Sequence, residues 1–135
     1  MKSANRVLDA YSLIAYLEGE DGADKMVEVI KSARDSGRDL MLSVVNWGEV
    51  YYITLREMGP KRAEEVAHLI STLPIRLIDV DIQLIQQAAE YKATKRMSYA
   101  DCIAAALAKL RKAELVTGDE DFWQLESEIK ILWIS

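Results

Sequence analysis

The sequence predicts an α/β fold in which helices cover both faces of a mostly parallel sheet. Short apolar runs alternate along the chain with longer stretches whose apolar residues recur every three or four positions, the spacing of an amphipathic helix. Strands that alternate with helices in this way are typical of parallel sheets. No internal repeat, low-complexity tract or linker interrupts the pattern, so residues 1–135 are expected to form one domain.

The first half of the chain supplies two strands and three helices, and each of these helices ends at a glycine. Gly19, Gly37 and Gly59 stop three successive helical patterns, because glycine readily adopts the backbone conformation that ends helices. The predicted elements are strands at 6–8 and 39–44 and helices at 11–19, 21–36 and 45–58.

The second half continues the alternation. Pro60 fits the first position of a helix, and Pro74 ends that helix, because proline cannot supply a backbone donor inside it. Ser98 precedes the last long helix in the position of an N-cap. The predicted elements are helices at 60–73, 81–95 and 98–112, a short turn at 120–125, and strands at 75–80, 114–118 and 129–134.

Composition and charge argue against several classes of protein. No apolar run approaches the ~20 residues of a membrane span, and the N-terminus lacks the pattern of a signal peptide. A net charge of −5 disfavours a nucleic-acid binder that works by bulk attraction. Cys102 is the only cysteine and cannot form an internal disulfide, so a cytoplasmic location is expected.

Acidic residues follow the predicted strands where sites in parallel sheets form. Asp9 follows the first strand directly, and Asp119 and Asp121 follow the fourth. Parallel strands share their carboxyl edge, and ligands bind there near a switch in strand order. Glu49 lies on a mainly apolar helix face, and Asp101 lies in the first turn of a helix just before an apolar run.

Taken one at a time, most of these acids also have a purely structural explanation. Asp101 could complete a capping box with Ser98. Asp9 and Asp119 are plausible turn formers, and Asp121 could simply begin the short helical turn.

Taken together, the acids favour a metal site. Glu49 has no lysine or arginine three or four residues away, and glutamate is seldom buried unpaired. Clustered carboxylates raise one another's pKa and destabilise the fold. A hard divalent cation relieves that repulsion, and oxygen ligands suit Mg²⁺ or Mn²⁺. Such ions activate water and hold phosphodiester oxygens.

Other kinds of site have less support in the sequence. A single histidine and a single cysteine provide no zinc site, and no glycine-rich phosphate loop occurs. His68 is expected at the surface or core edge, and Cys102 as a small buried thiol. Trp47, Trp123 and Trp133 are expected to be packing or interface residues.

The acidic stretches, in their order, resemble the PIN-domain nucleases, and in particular the VapC-like toxins of prokaryotic toxin–antitoxin systems. The resemblance covers nearly the whole chain, and its specificity lies in the order of the stretches rather than in any one of them. They are VLDAYSLIAYLEGE with Asp9, NWGEVYYI with Glu49, SYADCIAAALA with Asp101, and LVTGDEDF with Asp119 and Asp121.

The resemblance implies a three-layer α/β/α sandwich and a metal-dependent endoribonuclease that acts on RNA. The implied catalytic residues, which also hold Mg²⁺ or Mn²⁺, are Asp9, Glu49, Asp101 and Asp119. Asp121 matches a further acidic ligand that acts through water. The implied partners are a small antitoxin, whose tail blocks the site, and a second copy of the chain in a homodimer.

Hydroxyl residues around the acids show one departure from the family pattern. Thr117 is similar to a family hydroxyl residue that contacts water or a phosphate. Two residues after the first acid the family usually has Ser or Asn, and here that residue is Tyr11. Ser12, one residue further on, is the candidate substitute, and whether it takes over that role is open at this point.

Basic and aromatic residues near the acids are candidate RNA contacts, although a solvated helix end or core packing is the simpler explanation for each of them. These candidates are Lys92, Lys95 and Arg96 before Asp101, Arg56, Lys61 and Arg62 after Glu49, and the rings of Tyr11, Tyr16 and Tyr52.

Three functions remain open from the sequence. The first is the nuclease, as a toxin or as an RNA-processing enzyme. The second is a phosphoryl-transfer or receiver-type domain, which would need an acidic pair after the first strand and a lysine after a late one. The third is a non-catalytic interaction module, which would tolerate Asp→Asn at every acid.

Overall fold

The computed structural model describes residues 5–135, and residues 1–4 of the expected domain lie outside the described residues. The elements alternate as the sequence predicts. They are β1 (Arg6–Leu8), α1 (Ala10–Glu18), α2 (Ala23–Ser36), β2 (Leu40–Ser43), α3 (Val44–Met58), α4 (Pro60–Ser71), β3 (Ile75–Ile78), α5 (Ile82–Thr94), α6 (Tyr99–Arg111), β4 (Glu114–Thr117), a 3-10 helix (Glu120–Leu125) and β5 (Ile131–Trp133).

The five strands form one parallel sheet in the order β3-β2-β1-β4-β5. Val7 at the centre of β1 is in register with Met41 of β2 and Leu115 of β4. Strands β2 and β3 lie on one side of β1, and β4 and β5 lie on its other side. The strand order therefore switches between β1 and β4. Receiver-type domains have the order 2-1-3-4-5, and the receiver alternative is therefore wrong.

Both faces of the sheet are covered, which confirms the three-layer α/β/α architecture. Val7 and Leu115 pack in a core with α5 and α6, whereas Leu8 and Val116 pack in a second core with α1, α2 and α4. All four of these strand residues are fully buried. Strands buried on both faces are apolar throughout, because successive side chains point to opposite layers.

Helix α6 lies against the sheet along most of its length. Every residue from Cys102 to Ala108 is buried, and four of them are alanine, so the small side chains allow a close approach to the strands. Burial raises the pKa of the Cys102 thiol, which agrees with the prediction of a small buried thiol. This packing fixes the position of the first turn of α6, which contains Asp101.

Four predicted strands, 39–44, 75–80, 114–118 and 129–134, are longer than the observed ones, and helix caps end two of them early. Ser43 is the last residue of β2 and also caps α3, with its hydroxyl accepting from the Asn46 amide at 3.0 Å. Asp81 caps α5 and takes the chain out of the sheet after Ile78. The predicted strand 129–134 is shorter too, as β5 pairs only over Ile131–Trp133.

Several side chains differ from the sequence predictions in their exposure. Trp123 is exposed, so of the two roles predicted for it the interface remains and burial in the core does not. Tyr11 and Tyr52 are exposed rather than in the core. His68 is exposed, as expected. Trp47 is half-buried and stacks on Tyr51 with 5.3 Å between ring centroids.

No helix among residues 5–135 is both long enough and apolar enough to cross a membrane.

Candidate metal centre

Asp9 is held in a buried position at the carboxyl end of β1. It caps α1, and its Oδ1 accepts a hydrogen bond from the Ser12 amide at 2.8 Å. The Ser12 hydroxyl donates to the Asp9 main-chain carbonyl at 3.1 Å. Both residues are fully buried or nearly so. Ser12 thus orders the start of α1 around the carboxylate, one position after Tyr11.

Thr117 joins the ends of β1 and β4, the two strands at the switch in strand order. Its buried hydroxyl donates to Oδ2 of Asp9 and accepts from the Asp119 amide at 3.0 Å. Because a hydroxyl has a single proton to donate, these two bonds fix its orientation. The hydroxyls of Ser12 and Thr117, predicted as possible water or phosphate contacts, are therefore directed to Asp9.

Tyr11 lies over the turn that follows β4. A Cβ atom at Gly118 would clash with the Tyr11 ring and with Ser135 Oγ, so a side chain at position 118 would require these two groups to move. The Tyr11 hydroxyl lies 3.4 Å from Ser135 Oγ. Tyr11 therefore packs beside the site, and Ser12 makes the hydrogen bonds to Asp9.

Glu49 is connected to the rest of the site through Asn46, a residue that the sequence reasoning did not select. Asn46 is fully buried, and its side-chain amide donates to Glu49 Oε1 at 3.4 Å and to the Ala100 carbonyl at 3.1 Å. Ser43 donates to Asn46 Oδ1 at 2.7 Å. A signal was available: Ser43, Asn46 and Glu49 are spaced by three residues and share a helix face.

Three of the predicted acids converge. Asp101, Asp119 and Asp121 each offer a carboxylate oxygen, and these oxygens all lie within 4.8 Å of one another. Asp119 caps the 3-10 helix, and its Oδ1 accepts from the Asp121 amide at 2.9 Å. Asp121 is exposed, whereas Asp101 and Asp119 are half-buried. Asp9 and Glu49 lie outside this group of three.

The capping role at the start of α6 belongs to Ser98. Its hydroxyl accepts from the Asp101 amide at 3.1 Å, so the cap is made to the main chain of Asp101. A hydrogen bond with Ser98 also lowers the pKa of the Asp101 carboxyl, against the larger effects that raise it. The prediction that Ser98 begins this helix is confirmed. Because the main-chain amide is available whatever the side chain, the cap does not require an acid at position 101.

The electrostatics link all the predicted ligands except Asp121. Burial, and after it the negative charges of Asp119, Asp9 and Glu49, raise the pKa of Asp101 to about 7. Burial raises the pKa of Asp9 to about 6, against the lowering effect of its hydrogen bonds from Thr117 and Ser12. Burial also raises the pKa of Glu49.

These residues fit a divalent cation. The donors are all carboxylate oxygens, which Mg²⁺ and Mn²⁺ prefer, and three of them converge within the span of a single ion's ligands. The raised pKa values arise partly from mutual repulsion, which a bound cation would relieve. Within residues 5–135, no lysine or arginine forms an ion pair with any of the five acids.

The sequence matches the family model of the PIN domain over residues 6–127. No curated protein matches the chain.

Several solved structures are similar to this fold. VapC20 of Mycobacterium tuberculosis, described as a sarcin–ricin loop cleaving toxin, has a TM-score of 0.74 at 17% identity, over 93% of this chain and 96% of its own. DNA-bound VapBC of Salmonella typhimurium has a TM-score of 0.74 at 19% identity, over 98% of this chain and 100% of its own. FitAcB of Neisseria gonorrhoeae has a TM-score of 0.71 at 18% identity, over 96% of this chain and 97% of its own. At these identities the likeness establishes the fold alone.

The metal-free protein should be more stable at pH 5.5 than at pH 8. Asp9 and Asp101 have pKa values of about 6 and about 7 in the folded state, against about 3.9 for an unfolded aspartate. The folded state therefore binds more protons between about pH 4 and pH 7, and stability falls as the pH rises through that range. Thermal unfolding in EDTA should show a Tm difference of roughly 3–8 °C.

In the pH experiment, Asp101→Asn should reduce the Tm difference because it removes a carboxyl whose pKa is raised to about 7. Asp35→Asn changes an exposed acid of α2 and should leave the difference unchanged. A wild-type Tm that rises from pH 5.5 to pH 8 would contradict the prediction.

Added Mg²⁺ should raise the Tm of the wild type more than that of Asp101→Asn, because only a ligand that binds the folded state stabilises it. At one hundred times the Kd the gain is about 2.7 kcal/mol. Without metal at pH 8, Asp101→Asn should be at least as stable as the wild type, since the Ser98 cap remains. A marked loss of metal-free stability in the variant would instead favour a structural role for Asp101.

Thr117→Val should destabilise the protein by about 1–3 kcal/mol at pH 8, because the charged Asp9 loses a buried donor. Thr117→Ser keeps the hydroxyl and should lose much less. The difference between the two variants should narrow at pH 5.5, where Asp9 becomes protonated. Thermal unfolding at both pH values measures this, and equal Tm values for the two variants would mean that the hydroxyl does not hold Asp9.

Proposed function

This chain belongs to the PIN-domain family, and on that premise we propose that it is a metal-dependent endoribonuclease that hydrolyses phosphodiester bonds in RNA. The observation that carries the proposal is the convergence of Asp101, Asp119 and Asp121 at the switch in strand order. Asp9 and Glu49 act electrostatically on the same cluster. Such an arrangement destabilises the fold unless a cation joins it.

The proposed metal ligands are Asp9, Glu49, Asp101, Asp119 and Asp121, with Mg²⁺ or Mn²⁺ as the ion. When bound, such an ion supplies an activated water as nucleophile and neutralises charge on the phosphate oxygens. The chain's own residues position these ligands. Thr117 and Ser12 orient Asp9, and Asn46 orients Glu49, through donors that lower the pKa of each carboxyl.

The site geometry favours a substrate strand that is locally unpaired. The convergent acids lie at an edge of the sheet between helix N-termini, with Asp121 at the exposed end. A phosphate in an unpaired loop or single strand can approach such a cluster, whereas the shape of an RNA duplex restricts side-chain access. The net charge of −5 also disfavours general attraction to duplex nucleic acid.

We further propose that the protein is the toxin of a toxin–antitoxin pair, present in the cytoplasm, with a small antitoxin and a second copy of the chain as partners. The support is that the similar structures include VapC20, a sarcin–ricin loop cleaving toxin, and a DNA-bound VapBC. An antitoxin that covers the acids would need basic groups, since the cluster has no cationic partner among the described residues.

The test is cleavage of a panel of structured and single-stranded RNAs by the purified protein, with Mg²⁺ or Mn²⁺, with EDTA, and with Asp101→Asn. Cleavage should require the metal and fall by about 10- to 100-fold or more in the variant, because even the loss of a residue that only supports a metal ligand typically costs 10- to 100-fold. Asp35→Asn, prepared in parallel, should cleave like the wild type. Cleavage by Asp101→Asn at the wild-type rate would show that Asp101 is not a metal ligand in the reaction. Absence of both cleavage and Mg²⁺-induced stabilisation would favour the non-catalytic interaction module.

A further inference from the structure

Trp123 presents a large aromatic surface to solvent close to the acid cluster. Its side chain is 60% exposed, although its neighbours Phe122 and Leu125 in the 3-10 helix are fully buried. Trp133 of β5 supports it edge-on, with 6.3 Å between ring centroids. The Trp133 indole N–H donates to Glu126 at 3.0 Å. The exposed ring is therefore held in place rather than mobile on a loop.

The side chain of Gln124 binds the main chain of Arg96 to the 3-10 helix that contains Trp123. Its Oε1 accepts from the Arg96 amide at 2.9 Å, and its Nε2 donates to the Arg96 carbonyl at 3.1 Å. The same Nε2 donates to the Asp121 carbonyl at 3.0 Å. One side-chain amide thus joins the α5–α6 loop to the 3-10 helix, between a candidate metal ligand and Trp123.

Of the three basic residues that precede Asp101, namely Lys92, Lys95 and Arg96, Arg96 is the one whose side chain can bind a ligand. Lys92 donates to the Met97 carbonyl at 2.8 Å, and Lys95 lies 3.9 Å from Glu128 in an ion pair. The exposed guanidinium of Arg96 has no ion pair or side-chain hydrogen bond within the part of the chain that the structure describes. A guanidinium suits phosphate recognition because its planar donors match two phosphate oxygens.

We propose that Trp123 and Arg96 form a binding site for one unpaired nucleotide of single-stranded RNA beside the cleavage site, with the indole stacked on the base and the guanidinium bound to a phosphate. The proposal rests on the nuclease function proposed above. Gln124 follows Trp123 in the chain and binds the main chain of Arg96, so the two residues lie on adjoining segments. Stacking on an aromatic ring is tolerant of base identity, so this site selects an unpaired nucleotide rather than a sequence.

The first test measures binding of a short fluorescein-labelled single-stranded RNA by fluorescence anisotropy in EDTA, where metal-dependent cleavage is stopped. The second measures KM and kcat for RNA cleavage with Mg²⁺. Trp123→Leu removes the aromatic face and keeps apolar bulk. It should raise Kd by about 5- to 150-fold, since one stacked base contributes about 1–3 kcal/mol. Trp123→Tyr keeps an aromatic face and should retain most of the affinity. In the cleavage assay, Trp123→Leu should raise KM far more than it lowers kcat.

Arg96→Gln should weaken binding and reduce the slope of log Kd against log salt concentration by about 0.7, the value of one phosphate contact on a single strand. Arg76→Gln is the matched control, because Arg76 is an exposed arginine of β3, away from the carboxyl edge. Val27→Ala is the control for the loss of an exposed apolar side chain, since Val27 is an exposed residue of α2. Neither control should change Kd or the salt slope.

The results separate this site from the nuclease function itself. Wild type that cleaves RNA, with every variant keeping its Kd and KM, overturns the nucleotide site and leaves the nuclease standing. Equal losses in Trp123→Leu and Trp123→Tyr also overturn it, because stacking would then not be the interaction. A change of oligomeric state in Trp123→Leu without a change in RNA affinity makes this face a protein interface. Wild type that neither binds nor cleaves any RNA defeats both proposals.

Discussion

Repulsion among carboxylates at the carboxyl edge of the sheet is the constraint on which the rest of this structure depends. Burial and three neighbouring acids raise the pKa of Asp101 to about 7, so at neutral pH this group is held near the point where it loses its charge. The fold opposes the repulsion through helix starts. Asp9 and Asp119 are N-caps, and Asp101 is in the first turn of α6, where the helix dipole favours negative charge.

Neutral donors complete the arrangement. Asp9 accepts from the Ser12 amide and the Thr117 hydroxyl, Asp119 accepts from the Asp121 amide, and Glu49 accepts from Asn46. These bonds orient the carboxylates without cancelling their charge, which an arginine or lysine would do. The uncancelled charge is what makes the cluster suited to a divalent cation, and the orientation is what would hold that cation in a defined place.

The basic residues near the site differ in role although they look equivalent in the sequence. Arg62 forms hydrogen bonds to Glu18 at 2.8 and 2.9 Å and joins α4 to α1. Arg56 lies over the Tyr52 ring, and Lys92 and Lys95 bind within the protein. Gln124 binds the main chain of Arg96, and within residues 5–135 the Arg96 guanidinium has no ion pair. Only the tertiary packing separates these cases.

The sequence by itself determined the layers, the parallel strands and the edge at which the acids gather. Periodicity fixes which faces are apolar, and a crossover helix returns each strand in the same direction, so residues after Leu8 and after Thr117 must share an edge. The tertiary structure alone decided the strand order, the approach of Asp101 to Asp119 and Asp121, and the roles of Asn46 and Thr117. Those depend on contacts between residues distant in sequence, such as Asn46 with Ala100 and Thr117 with Asp9. Local patterns carry no information about such distances, because they follow from how whole layers pack.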